Sequence, residues 1–280
     1  MTSCPVCCNH HIKEIDHKLF IFRCESCTHL FSITKVREQE VYAETYYLKE
    51  HENWFRHPNY KYFSQILNQI HAHTTLPLTL LDVGCGKGDF LKYVGAHDTT
   101  AHLSGIDITK NSHPQIQFIQ GNIMTYNFRQ TYSVITAFMV IEHVNALIAF
   151  VQKLHTLLKP EGTLFISTIN NESLMYTLAR MLRWFGVRDA FERLYSHHHV
   201  QHFSPQSLHH VLEQQGFTIS SHKNHNYPLN AVDVPKRNWL ITKMYLLTVR
   251  MIFFISAPLG LGMHQTIVCK RSKSVIPVKR

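Results

Sequence analysis

Two groups of residues in this 280-residue chain have types and spacings suited to chemistry. The first is Cys4-Pro5-Val6-Cys7, sixteen intervening residues, then Cys24-Glu25-Ser26-Cys27. Two C-x2-C pairs at this distance read as a zinc ribbon: each tight knuckle turns two thiolates toward one ion, and four thiolates close a tetrahedral shell. A closed shell leaves no position for a substrate, so such a site is structural. The competing reading is a set of buried thiols, and Cys8, His10 and His11 are spare donors nearby. The segment has few clustered cations, so it is expected to be a folding module more than a partner-binding one.

The second group lies in LLDVGCGKGDFL, Leu80 to Leu91. A β-favouring apolar run ends in Asp82, glycines follow at 84, 86 and 88, and a helix start comes next. A phosphate loop needs Gly-Lys followed by Ser or Thr to hold magnesium, whereas Gly86-Lys87 is followed by Gly88. A dinucleotide fingerprint needs a third small residue where Asp89 stands. What remains is D-x-G-x-G-x-G: an acid can take a ligand's ammonium, and bare backbone makes room for a compact body without a phosphate. That suits a cofactor with an amino acid tail and a sulfonium.

With its flanking segments, this turn resembles the class I S-adenosylmethionine-dependent methyltransferases. HLSGIDI resembles the second strand, with Asp107 expected on the ribose hydroxyls and Ile108 beside it. Gly84 to Asp107 is 23 positions, close to the roughly 20 between a glycine turn and a ribose-binding acid. IQFIQGNI resembles the third strand and its loop, where Asn122 and Ile123 would meet the adenine. YSVITAFMVIEHV resembles the fourth strand, LLKPEGTLFISTIN a turn and the fifth, HVQHFSPQSLHHVLEQQGFTI a helix and the sixth, and HQTIVCKR the last. Ser204 is expected to cap that helix with Pro205 as its first residue. The cofactor-binding set implied is Asp82, Gly84, Cys85, Gly86, Gly88, Asp107, Ile108, Asn122, Ile123, Phe138 and Met139.

The Glu142-His143-Val144 signature resembles the branch that holds the ubiquinone-pathway O-methyltransferases and many small-molecule and sugar methyltransferases. The resemblance implies methyl transfer from S-adenosylmethionine to a small-molecule, lipid-linked or sugar acceptor, at oxygen before carbon or nitrogen. His143 is the expected base, since a neutral imidazole takes a proton near neutral pH, with Glu142 beside it. The bland alternative is that this pair caps the next helix and holds the loop. Ubiquinone-type enzymes carry a Glu three residues earlier that helps hold a divalent metal; Met139 stands there, which argues against a catalytic metal. His197, His198, His199 and His202 suggest substrate lining or, through the i, i+4 spacing of His198 and His202, a metal pair.

These residues must be positioned by an α/β fold: a Rossmann-like seven-stranded methyltransferase sheet with a small N-terminal zinc ribbon. The expected division is 1–34 ribbon, 35–75 helical aromatic-rich connector, and 76–280 methyltransferase domain with amphipathic helices inserted at about 172–190 and 235–257. The connector, VYAETYYLKEHENWFRHPNYKYF, is expected to be helical from about Val41, as packing or as a lid. At 45% hydrophobic and 17% charged residues the chain can bury one substantial core. No secretory signal is evident, so a reducing cytoplasm is expected, with cysteines as metal ligands and buried thiols.

The net charge of +9 suits a polyanion or an anionic membrane surface. Lys236, Lys243 and Arg250 recur every seven residues in PKRNWLITKMYLLTVRMIFFISA, and SLMYTLARMLRWFGVR carries Arg180, Arg183 and Arg188. Such helices either cover the sheet and snorkel their cations or lie in a membrane interface anchored by Trp239 or Trp184, peripheral at an inner face. No run of 18 uncharged apolar residues occurs, so a conventional spanning helix is not expected. RNA methylation is a rival reading supported by the charge and the ribbon. Against it, Phe138-Met139-Val140-Ile141 stands where base-nitrogen chemistry uses an Asn/Asp-Pro-Pro-Tyr tetrapeptide. A non-catalytic cofactor-binding regulator is the other rival.

Overall fold

The computed structural model describes residues 3–33, 56–74, 77–196, 198–233 and 238–272. Five parallel strands, β4 (Thr79–Val83), β5 (His102–Asp107), β6 (Ile116–Gln120), β7 (Tyr132–Phe138) and β8 (Leu158–Ile169), form most of one sheet. β11 (His264–Arg271) joins β8 antiparallel and β10 (Phe217–His225) joins β11, giving the order β10-β11-β8-β7-β4-β5-β6. Strand order reverses between β4 and β7, and the crevice at such a switch point is where open α/β sheets bind ligands. The predicted Lys-Pro-Glu-Gly turn lies within β8, as a bend with Glu161 at φ +63°.

Side-chain alternation sends Leu80, Val134, Phe165 and Val268 to one face, under α1 (Tyr60–His73) and α2 (Asp89–His97). Leu81, Ile135, Leu164 and Ile267 go to the other, under α3 (Leu147–Leu157) and α6 (Pro205–Gln214). Both faces are covered, which is why the parallel strands read as nearly continuous apolar runs. Ser204 caps α6 as expected: its Oγ accepts from Ser207 N while Ser207 Oγ accepts from Ser204 N, and Pro205 opens the helix.

The amino-terminal strands β1 (Ile12–Asp16), β2 (Ile21–Cys24) and β3 (Leu30–Ser32) form an antiparallel sheet whose fourth strand, β9 (Gln201–His202), comes from the segment before α6. The two inserted helices are α4 (Leu174–Trp184), followed by the short α5 (Asp189–Leu194), and α7 (Trp239–Ser256). Their cations behave differently. Arg183 and Arg188 both reach the buried carboxylate of Asp16 in β1, at 2.8 and 2.9 Å, and Arg180 donates to Asn171. Arg180 and Arg183 of α4 and Arg188 after it are thus bonded within the protein.

In α7 only Val249, Phe253 and Ser256 are buried. Its outward arc exposes Trp239, Leu240, Met244, Leu247, Met251 and Phe254, the last 81% accessible. Although Lys243 and Arg250 interrupt it, α7 is long and apolar enough to cross a membrane by length and composition. Residues 34–55, which include the connector helix expected from Val41, and His197 and Lys236 lie outside the described residues.

Candidate active site

The glycine turn is built where β4 stops. Gly84 N donates to Ile106 O at 2.8 Å and Gly88 N to Cys85 O at 2.8 Å. Gly84 sits at φ +66°, and a Cβ there would lie 2.4 Å from Val140 Cγ2, so a side chain is excluded by both conformation and space. Asp107 ties β5 to the turn: Oδ2 accepts from Gly86 N at 2.9 Å, while Oδ1 accepts from Thr109 N and Oγ1. Asn111 Nδ2 donates to Gly86 O at 2.8 Å. After β6, Asn122 Oδ1 accepts from Met124 N at 2.8 Å and shapes that loop.

Asp82 is buried and its Oδ1 accepts from Thr136 Oγ1 at 2.6 Å. Burial pushes its carboxyl up to about 7, against the hydroxyl bond and with a further push from the Asp107 charge.

A cavity of about 1180 Å³ opens above this turn. On the β5 and β6 side it is lined by Asp82, Asp107, Ile108, Asn122 and Ile123. On the β7, β8 and β11 side it is lined by Phe138, Met139, His143, His199, His225, Tyr227 and His264, and Tyr245 and Val249 add the inner face of α7. Met139 sits at φ +56°, with its N–H donating to Ser167 O at 2.8 Å. A non-glycine residue held in that region stores strain, a recurring feature of binding sites.

The Glu142-His143 pair follows immediately. His143 Nδ1 lies 2.8 Å from His198 O. A carbonyl oxygen only accepts, so Nδ1 carries the hydrogen and Nε2 is left as the basic nitrogen of the neutral ring. Glu142 is fully buried. Its Oε2 accepts from Thr168 Oγ1 at 2.8 Å, Oε1 has no hydrogen-bond partner, and burial pushes the carboxyl up to about 7. Ligand atoms of Glu142, His143 and His199 lie within 4.8 Å of one another.

Away from this cavity, one ligand atom from each of Cys4, Cys7, Cys24 and Cys27 also falls within 4.8 Å of the others. The residue after each knuckle, Cys8 and Thr28, has positive φ, the bend that aims both thiols of a pair at one point. Sulfur separations of 3.5 Å for Cys4 to Cys27 and Cys7 to Cys24 cross between the knuckles.

Residues 55–222, more than half of the chain, match the family described as "Methyltransferase domain". The chain belongs to the class I S-adenosylmethionine-dependent methyltransferases. Similar proteins include the human mitochondrial ubiquinone biosynthesis O-methyltransferase, 28% identical over 66% of this chain and 53% of that one. The ubiquinone biosynthesis O-methyltransferase of Acinetobacter baumannii (strain AYE) is 26% identical over 67% of this chain and 84% of that one. The chain spans about half the length of the first curated relatives it matches, 53% and 51%.

Among solved structures, an S-adenosylmethionine-dependent methyltransferase from Archaeoglobus fulgidus has a TM-score of 0.53 at 16% identity, over 80% of this chain and 99% of that one. Phosphoethanolamine N-methyltransferase 2 of Haemonchus contortus has a TM-score of 0.57 at 10% identity, over 87% and 62%. These likenesses show the methyltransferase fold.

Most residues singled out in the methyltransferase sequence meet at the one cavity, with three qualifications. Gly88 and Glu142 are not on its wall, Gly88 because it starts α2 and Glu142 because it is buried behind the wall. Cys85, also on the wall, turns its thiol toward the core, where Gly105 is bare beneath it. Of the alternative for Glu142 and His143, the cap does not form, since the N-cap of α3, Ala146, has no side-chain cap, whereas the pair does hold the loop: Glu142 O accepts from Val200 N at 2.8 Å and His143 Nδ1 donates to His198 O. The i, i+4 relation of His198 and His202 fails: His198 lies in a turn, no helix follows, and His202 is buried in β9 with Nε2 3.0 Å from Ser32 Oγ. Tyr62 lies in the aromatic segment expected as packing or as a lid, whereas Arg193, His225 and His264 had no local signal. They reach the wall from α1, α5, β10 and β11, which only the fold brings together.

Proposed function

We propose that this chain transfers a methyl group from S-adenosylmethionine to a hydroxyl of a small, lipid-linked acceptor at a membrane surface. The observation that carries the reading is the single cavity shared by the Asp82–glycine–Asp107 turn and the basic Nε2 of His143. Residues 76–280 would do the chemistry and 1–34 would form the zinc ribbon.

Asp82 would hold the ammonium and Asp107 the ribose hydroxyls, for which its carboxylate keeps acceptor capacity beside its bonds to Gly86 and Thr109. Asn122 and Ile123 would face the adenine, and Gly84 and Gly86 would present bare backbone. The bound cofactor supplies an electrophilic methyl on a sulfonium, in line for displacement. His143 Nε2 takes the acceptor's hydroxyl proton as the new oxygen–carbon bond forms and the sulfur–carbon bond breaks, so the proton ends on the imidazole and the sulfur leaves neutral. Positioning of the two reactants supplies much of the acceleration.

Two metals fit the residues. The four cysteines suit a structural zinc. The partnerless Glu142 Oε1, with His143 and His199, offers two imidazoles and a carboxylate to a divalent ion, a donor set without the Glu that Met139 replaces. An ion there would occupy His143 Nε2 and would polarise the acceptor hydroxyl in place of a base at His143, so the two arrangements exclude each other.

The lipid-linked reading rests on the ubiquinone-pathway relatives and on α7, whose inner face walls the cavity while its outer face is apolar and exposed. Lys243 stacks its ammonium 4.1 Å from the Trp239 ring at one flank of that face, and Arg250 follows two turns later. At about 100° per residue, Lys243 and Arg250 fall about 20° apart, between Trp239 and Phe254 on one side of the apolar arc, where cations and Trp239 can meet an anionic interface. The protein is expected to float with phosphatidylglycerol vesicles at low salt. The Lys243→Glu/Arg250→Glu double variant should bind about tenfold or more weakly, as each cation near the surface contributes about 1 kcal/mol. A wild-type protein left at the bottom of the gradient would remove the membrane from this account.

The raised Asp82 carboxyl has its own consequence. Below about pH 7 it must lose a proton before it can pair with the ligand's ammonium. Affinity for S-adenosylmethionine should therefore fall as pH drops below that value, approaching about tenfold per unit, with proton release seen in calorimetry across buffers. Affinity flat from pH 5.5 to 8 would contradict the assignment.

The activity is tested with methyl-labelled S-adenosylmethionine and a cell extract split afterwards into lipid, water-soluble and nucleic-acid fractions. Label should enter the lipid fraction, and His143→Ala should reduce it by about 10²- to 10⁴-fold with cofactor still bound. Label in nucleic acid would support the RNA reading, and none in any fraction the regulator.

A further inference from the structure

The ribbon and the Glu142-His143-Val144 turn are two sides of one hydrogen-bonded assembly. On one edge of residues 198–202, β3 pairs antiparallel with β9, Leu30 opposite His202 and Phe31 opposite Gln201, and Ser32 N donates to Val200 O at 2.9 Å. On the other edge, Val200 N donates to Glu142 O at 2.8 Å, Gln201 Nε2 to Val144 O at 2.9 Å, and His143 Nδ1 to His198 O at 2.8 Å. A segment of five residues thus stands between the metal-binding module and the candidate base.

Buried side chains make this joint specific. His29, in the ribbon between Cys27 and β3, has no exposed surface. Its Nε2 lies 3.0 Å from Gln201 Oε1, an oxygen that only accepts, so Nε2 carries the hydrogen. That bond decides which end of the Gln201 amide faces Val144: with the oxygen taken by His29, the NH2 points at the Val144 carbonyl. A reversed amide would set two carbonyl oxygens against each other. His29 Nδ1 lies 3.2 Å from Ser207 Oγ in α6, its ring packs 5.0 Å from Phe203, and Ser32 Oγ pairs with His202. A module serving only as a tether has no need of a fully buried polar network aimed at the far side of β9, where each unmet partner costs about 1–3 kcal/mol.

The cofactor turn is supported differently. Its bonds come from Ile106, Asp107, Asn111 and Cys85, none of which belongs to the ribbon. The two halves of the cavity are therefore held by separate scaffolds.

We propose that His29 and Gln201 are positioning residues for the acceptor half: the ribbon holds β9, β9 holds the Glu142-His143-Val144 turn, and loosening the ribbon displaces His143 while cofactor binding persists. This rests on the reading of His143 as the base.

The test uses the full-length, metal-loaded protein with His29→Ala, Gln201→Ala and His29→Gln. Three readouts are taken: calorimetric affinity for S-adenosylhomocysteine, peptide-resolved amide exchange over residues 138–146 and 198–204, and label transfer into the lipid fraction. The two alanine variants should bind S-adenosylhomocysteine within about twofold of wild type, show faster exchange in both peptides, and lose about 10- to 100-fold in kcat with a smaller change in acceptor KM. His29→Gln, which keeps an N–H toward Gln201, should recover most of the loss.

Stripping the metal with a chelator should speed the same two peptides and leave S-adenosylhomocysteine affinity in place. Unchanged exchange in the alanine variants, or affinity falling in step with kcat, overturns the proposal. Should His143→Ala transfer label as wild type does, the base assignment fails, and the exchange data still decide whether the ribbon holds the turn.

Discussion

Replacing Gly88 by valine is expected to weaken S-adenosylmethionine binding by about a hundredfold, equivalent to about 3 kcal/mol, while the fold persists. Gly88 starts α2 at φ +72°, and a Cβ there would lie 2.5 Å from Phe118 Cζ and 2.9 Å from Cε1. A β-branched residue adds about 1–2 kcal/mol for the left-handed backbone and about 1–3 kcal/mol for the clash. The variant can relieve both by drawing the turn away from Phe118, because the turn is a connection at the carboxyl end of β4 and the strands beneath it stay packed. Binding must then restore the strained shape, so the cost appears in affinity. Calorimetry with S-adenosylhomocysteine, beside circular dichroism for the fold, reads this directly. A folded variant with wild-type affinity would show that the turn does not hold the ligand.

The second large effect is expected in acid. His29, His202 and His264 are buried as neutral imidazoles, with burial holding them down to about 4, about 3 and about 3, and His225 on the cavity wall is held to about 4. Below about pH 6.5 the unfolded chain binds a proton on each, and the folded chain refuses it. Asp82 and Glu142, raised to about 7, work the other way, since the folded chain keeps two protons that the unfolded chain releases until about pH 4. Three or four protons against two leaves one to two net protons favouring the unfolded state. Stability should therefore fall by about 2 kcal/mol per pH unit between pH 6.5 and 4.5.

Over those two units the melting temperature should drop by about 10 °C. Thermal unfolding at several pH values checks this, and His202→Asn should flatten the slope. A melting temperature that holds or rises across that range would mean that these rings are solvated or paired in the folded protein.

Much of the framework was legible because each piece carried a local physical reason. Asp82 and its three glycines excluded phosphate ligands by what was missing at Gly88 and Asp89, Asp107 fell at a βαβ distance, and Ser204-Pro205 announced a helix start that forms with a reciprocal cap. The acceptor side was less legible. β9 is two residues long and has no periodicity to read, so nothing in Gln201-His202 announced that it completes the ribbon sheet.

His199 reaches Glu142 and His143 across more than fifty residues, while the helical spacing of His198 and His202 pointed to a pair that a turn running into a strand separates. For α4 and α7 the composition was plain, but which cations would be used internally depended on Asp16, a partner more than 160 residues away. Local propensity speaks for elements and turns; convergence of distant side chains is a property of the packed sheet.

Titration of wild-type protein with S-adenosylhomocysteine by calorimetry bears most directly on the central claim, that the turn between β4 and α2 seats the methyl donor's body between Asp82 and Asp107. One saturable site, competed by S-adenosylmethionine and silent toward a nicotinamide dinucleotide or a nucleoside triphosphate, is the expected result. Heat from either of those nucleotides with none from S-adenosylhomocysteine would contradict it.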